Sequence, residues 1–121
     1  EWRDFCRGEG FLVDAGSIQV NLDAGRRHAV RVEEDDASFH LLALVARAAI
    51  VTGLENASLM AWQRNRSAAL VGFRVDDKGR LIGEAWVPKA GLTGEEFQLY
   101  VRTLAAESDR FEHQLTGQDT E

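Results

Sequence analysis

Cysteine, proline, methionine and tyrosine each occur only once in this chain of 121 residues, and no signal of a secreted or membrane-spanning protein accompanies them. With Cys6 as the sole thiol, an intrachain disulfide is excluded, and nothing at the start of the chain resembles a secretory signal. Both point to a reducing compartment, and the sequence-based expectation is cytoplasmic. No apolar run approaches the roughly 18 residues needed to cross a bilayer. The longest, residues 41–51, is interrupted by Arg47. Basic residues are also scarce: 14 Lys and Arg against 20 Asp and Glu give a formal net charge of −6, and only Arg26 and Arg27 are adjacent. Binding to a phosphate backbone draws on clustered cations that release counterions, so neither nucleic acid nor a membrane is an expected partner.

The composition that remains is that of one globular domain spanning residues 1–121, with a hydrophobic fraction of 45% and a charged fraction of 28%. A chain of this length buries a core without disulfides or metals. It opens on Glu1 rather than Met, and the first element reads as a short helix or the surviving end of a longer one.

Residues 1–7 carry Trp2 and Phe5 three apart, the spacing of one apolar helix face, until Gly8 and Gly10 break it. From Phe11 the pattern turns strand-like, with Ile18, Val20 and Leu22 alternating with polar residues. After the turn Asp23-Ala24-Gly25 a second run sets His28, Val30 and Val32 on one face and Arg27, Ala29, Arg31 and Glu33 on the other, which makes a hairpin. Residues 39–51 suit a buried strand or, by their Leu and Ala content, a helix; the preceding hairpin and the β-branched Ile50, Val51 and Thr52 at the end favour a long strand. A helix is expected over 56–66, then strands over 67–75 and 80–87 joined by Asp76-Asp77-Lys78-Gly79. Gly72 and Gly83 are costly inside strands unless something packs against the backbone there, so both are expected to mark a helix lying close on the sheet. Pro88 ends the last strand by removing a ladder donor. Thr93 and Glu96 form a capping box, and Phe97, Tyr100, Val101, Leu104, Ser108, Phe111 and Leu115 fall at steps of three and four along a helix over 93–115. Gly117 serves as its stop signal, with 118–121 a frayed polar tail. The sum is an α+β fold, a five-stranded antiparallel sheet with helices packed on one side, in the order α-β-β-β-α-β-β-α.

Reactive constellations are sparse. Cys6 has no activating surroundings in the sequence and reads as a small buried apolar residue. His28, His40 and His113 are far apart in the chain with no partner at metal-ligand spacing, so no zinc site, and no cofactor of any kind, is expected. The carboxylate run 33–36 lacks the spacing of a calcium loop and reads as a solvated hairpin tip. Asp109, Glu112 and His113 lie on neighbouring helical turns, an acid and a histidine suited to proton transfer or, more simply, a surface pair near a helix C-terminus. No glycine motif cradles a phosphate. Trp62 and Trp86 are large aromatics with a polar handle, and the mixed face around Trp86, with Ile82 and Glu84, suits a contact with another chain.

The segments Leu59-Met60-Ala61-Trp62-Gln63-Arg64-Asn65, Ala69-Leu70-Val71-Gly72-Phe73, Asp77-Lys78-Gly79-Arg80-Leu81, Leu92-Thr93-Gly94-Glu95-Glu96-Phe97 and Glu107-Ser108-Asp109-Arg110-Phe111-Glu112, set within this order of elements, resemble type III secretion chaperones and the related YbjN-like proteins. The resemblance implies a small acidic, non-enzymatic module that binds another polypeptide and pairs with a second copy of itself. Trp62, Ile82 and Trp86, with Trp2 and Phe5 of the first helix, are the expected contact residues. The alternative is a small enzyme or ligand sensor with a pocket between the sheet and the last helix, built on Cys6 or on Asp109, Glu112 and His113.

Overall fold

A computed structural model describes residues 1–116, so the expected stop at Gly117 and tail at 118–121 lie outside the described residues. After a short 3-10 turn (Trp2–Cys6) the chain forms β1 (Phe11–Val13), β2 (Ser17–Asn21), β3 (Arg27–Glu34) and β4 (Ser38–Ala46). It continues through helices α1 (Ala48–Thr52) and α2 (Ala57–Asn65), strands β5 (Gly72–Val75) and β6 (Leu81–Pro88), and the long α3 (Gly94–Thr116). The strands make one antiparallel sheet in the order β1-β2-β3-β4-β6-β5. The α+β architecture is as expected, with six strands rather than five.

The extra strand comes from a repeated triplet. Asp-Ala-Gly occurs at 14–16 as well as at 23–25. At the first copy the Asp14 amide donates to the Ser17 carbonyl at 2.8 Å while the Asp14 carboxylate accepts from the Ala15 amide, turning the chain so that Phe11 pairs with Val20. Expected strand 39–51 also divides. β6 begins at Leu81 opposite Ala46, so residues beyond Ala46 have no ladder to join, and the alanine-rich stretch winds into α1 instead. Likewise β5 starts only at Gly72, because residues 67 and 68 continue the hydrogen bonding of α2 and Leu70 adopts a φ of 73°.

One face of the sheet is covered by α3. Its capping box forms as the sequence implies: the Glu96 amide donates to Thr93 Oγ1 at 3.1 Å, and the Thr93 amide to the Glu96 carboxylate at 2.9 Å. Phe97, Val101, Leu104, Ser108 and Phe111 are buried against Ile18, Val30, Leu41, Leu81 and Val87. Phe97 meets Phe39 edge-on, with ring centroids 5.3 Å apart, and Phe111 meets Phe73 at 5.1 Å. Gly83 sits where the helix comes closest: a Cβ there would lie 2.6 Å from Ser108 Oγ and 3.0 Å from Leu104 Cδ1. Gly72 does not share that role, its only near neighbour being the Asn65 side chain at 3.9 Å.

Candidate functional site

Among the described residues no helix covers the opposite face of the sheet. Strand alternation puts Leu42 and Leu44 of β4, Ile82, Glu84 and Trp86 of β6, and Arg74 of β5 on it, in register across the strands: Leu42 with Glu84, His40 with Trp86, Leu44 with Ile82 and Ile82 with Arg74. Of these, Leu42, Leu44, Ile82 and Arg74, together with His40, with Arg27, His28 and Arg31 of β3, with Glu112 of α3 and with the turn residues Asp76, Asp77, Lys78 and Arg80, line an open trough of about 700 Å³, and Glu84 and Trp86 lie beside it on the same face. Leu44 and Trp86 stand 48% and 58% exposed, while Ile82 is only 5% exposed and belongs to the trough floor.

A polar network stiffens the trough. The Trp86 indole stacks on the His40 ring at 3.7 Å with 5° between planes. His40 Nε2 lies 2.7 Å from Glu84, whose other oxygen accepts from Arg74 Nε at 2.6 Å. Burial pushes the Glu84 carboxyl upward, but the hydrogen bonds from Arg74 and His40 outweigh it and hold the group below the ordinary carboxylate range. Arg27 and Lys78 also line the trough and have no carboxylate within ion-pair distance among the described residues. Asp77 and Glu112 also line it with no Lys or Arg within ion-pair distance among the described residues, so the trough carries unpaired charge of both signs.

The edges of the sheet offer less. Asn65, at the end of α2, accepts from the Phe73 amide and donates to the Phe73 carbonyl, at 2.7 and 2.9 Å, and so occupies backbone groups that an added strand on β5 would use. At the other edge, β1 is three residues long.

The remaining expected contact residues are dispersed. Trp62 is 57% exposed on α2, with the Arg66 guanidinium over its ring, and is not part of the trough. Trp2 is 3% exposed and Phe5 half-buried, and both rings pack on Phe97. The first turn closes the core over the start of α3, because two aromatics three apart find a third, Phe97, on the helix they meet.

A second polar group forms where β3 passes under the later half of α3. His28 Nδ1 lies 3.7 Å from both Asp109 Oδ1 and Glu112 Oε1, Arg26 Nε donates to Asp109 Oδ2 at 2.8 Å, and His113 Nε2 is 3.6 Å from Asp109 Oδ1. Asp109 is 4% exposed, so the helix residues are not the solvent-facing pair that their spacing alone implies. Chain separation hid the meeting with His28; the signal available was its alternation with Val30 and Val32 on the buried face. Cys6 lies in the core, where burial pushes its thiol up to about 11, which leaves it protonated at neutral pH and a poor nucleophile.

The site and fold define a single-sheet α+β protein with one covered and one open face. Among the described residues no helix is long and apolar enough to cross a membrane. No family model and no curated protein matches the chain. A solved structure does: a chain of the heterodimeric complex ExoU–SpcU from the type III secretion system of Pseudomonas aeruginosa is similar with a TM-score of 0.55 at 13% identity, over 82% of this chain and 82% of that one. At that identity the likeness is one of fold.

Proposed function

We propose that this protein is a non-enzymatic polypeptide-binding module of the cytoplasm, resembling secretion chaperones and YbjN-like proteins, whose binding surface is the open face of the sheet. The observation that carries the reading is that face itself: Leu42 and Leu44 over a trough floor containing Ile82, with Trp86 exposed beside them on the neighbouring strand and, among the described residues, no covering helix. An antiparallel sheet tolerates one solvated face, but exposed leucine and tryptophan along its centre are the composition of a contact. The occupant is a segment of a different polypeptide that combines aliphatic side chains with carboxylates. An acidic segment sets carboxylates against Arg27 and Lys78, which find none within ion-pair distance in this chain among the described residues. The fold's likeness to a chain found in a two-protein complex supports the same reading.

Self-association belongs instead to α2, where Leu59 and Trp62 are exposed. Light scattering over a range of concentrations tests it: a dimer is expected in the wild type and in Trp86→Ala, and a monomer in Trp62→Ala. A wild type that stays monomeric removes the dimer from the account. The binding surface is tested by panning a random peptide library on the wild type with Leu44→Asp as counter-target. Enrichment of peptides rich in aliphatic residues, Asp and Glu is expected, with Arg27→Glu/Lys78→Glu abolishing the acidic preference. Peptides that bind Leu44→Asp equally well would refute the assignment.

A further inference from the structure

The group formed by His28, Asp109 and Glu112 is unabsorbed by that reading. His28 Nε2 is 2.8 Å from the Leu44 carbonyl oxygen. A carbonyl only accepts, so Nε2 carries the hydrogen, and in the neutral ring Nδ1 is a bare lone pair. That lone pair faces two carboxylates, at 3.7 Å to Asp109 Oδ1 and 3.7 Å to Glu112 Oε1. Three acceptors converging in this way repel one another, and a cation, a proton on Nδ1 or a bridging water between them relieves the repulsion.

We infer that His28 Nδ1, Asp109 Oδ1 and Glu112 Oε1 form a binding site for a divalent cation of the zinc class, pinning the later half of α3 to β3. The three ligand atoms lie within 4.8 Å of one another. Bonds of about 2.0–2.1 Å in a tetrahedral site put neighbouring ligand atoms about 3.4 Å apart, so the two gaps to His28 Nδ1 close by a few tenths of an ångström, and the gap between the carboxylate oxygens, within 4.8 Å, by up to about 1.4 Å. One imidazole and two carboxylates suit zinc or cobalt better than calcium, which takes six or more oxygens.

The surroundings match what metal ligands require. The second ring nitrogen of His28 is fixed on a backbone carbonyl, the commonest way of holding a metal-binding imidazole in one tautomer. Asp109, buried, gives Oδ2 to the Arg26 guanidinium, which leaves Oδ1 as a single directed ligand. Helical spacing brings Asp109 and Glu112 to one face, three residues apart. The Glu112 side chain is 44% exposed, so the fourth position opens to solvent and a water can complete the coordination. His113, 3.6 Å from Asp109 Oδ1, sits beside the site rather than within the three-ligand group.

The test uses the full chain after chelator treatment, titrated with Zn²⁺ by calorimetry and with Co²⁺ by its visible absorption. One ion per chain is expected, with cobalt giving the intense visible bands of a low-coordinate site and zinc displacing it. Loss of an outer-sphere partner alone costs about 10- to 100-fold in affinity, so Glu112→Gln and His28→Gln, each removing a ligand, should weaken binding at least that much. Zinc should raise the melting temperature of the wild type and leave that of Glu112→Gln unchanged. Glu112 is partly exposed, so that variant should fold, and its metal-free far-ultraviolet dichroism, matching the wild type, verifies this. Absence of binding at millimolar zinc, or equal binding by both variants, overturns the inference. So does a nitrogen NMR spectrum showing His28 doubly protonated with zinc present, because a proton then relieves the repulsion.

Discussion

The two faces of the sheet are built from alternate residues of the same strands, yet they obey different rules. On the covered face every position is fitted to α3, down to the glycine at 83 that lets Ser108 and Leu104 approach. On the open face, one residue away at each step, leucine and tryptophan stand exposed beside ion pairs and a stacked histidine. A protein whose only need was stability would carry polar residues there, as half-solvated sheets do. The difference separates what holds the chain together from what the chain holds out to a partner.

That contrast can be broken most severely on the covered side. Leu104→Ala removes a fully buried side chain and should cost about 2–5 kcal/mol, read as a lowered urea midpoint. Gly83→Ala drives a methyl to 2.6 Å from Ser108 Oγ and 2.9 Å from the Phe73 ring, and should cost about 1–3 kcal/mol. Adding Ser108→Ala should recover part of this, since it removes the nearest clashing atom and a hydroxyl that is buried without a hydrogen-bond partner.

On the open side the effects on folding should shrink while those on binding grow. Trp86→Ala forfeits the stack on His40 and should cost under about 1.5 kcal/mol, yet lose the selected peptides. Glu84 adds a pH signature. Because its folded carboxyl titrates below the unfolded value of 4.5, the pair with Arg74 and His40 contributes stability above that value, lost as pH falls through the lower folded value. Glu84→Gln should flatten that part of the acid unfolding curve, and an unchanged curve would mean the network contributes nothing. Leu44→Asp, on an exposed position, should change stability by no more than about 0.5 kcal/mol.

The covered face was legible in the sequence to an unusual degree, because a capped helix with a stripe at steps of three and four leaves few alternatives, and Gly83 marks the close approach expected of a strand glycine, though Gly72 does not. Strand ends were less legible. Where β4 stops depends on where β6 begins, a fact of pairing absent from residues 39–51 themselves, and the first Asp-Ala-Gly turns the chain just as its second copy does. Of the contact residues, Trp62 and Trp86 are exposed, while Trp2 and Phe5 have core surroundings that their three-residue spacing equally allowed. The meeting of His28 with Asp109 and Glu112 spans most of the chain, and only the placement of β3 beneath α3 brings them together.

The most direct test of the open face as the binding surface is to follow backbone and side-chain NMR shifts of the wild type during titration with a peptide recovered by the library selection. The account predicts shifts concentrated at Leu42, Leu44, Ile82, Glu84 and Trp86, including the Trp86 indole N–H, with α3 nearly unmoved. Shifts centred on α2 or α3, with Leu44 and Trp86 unchanged, would contradict it.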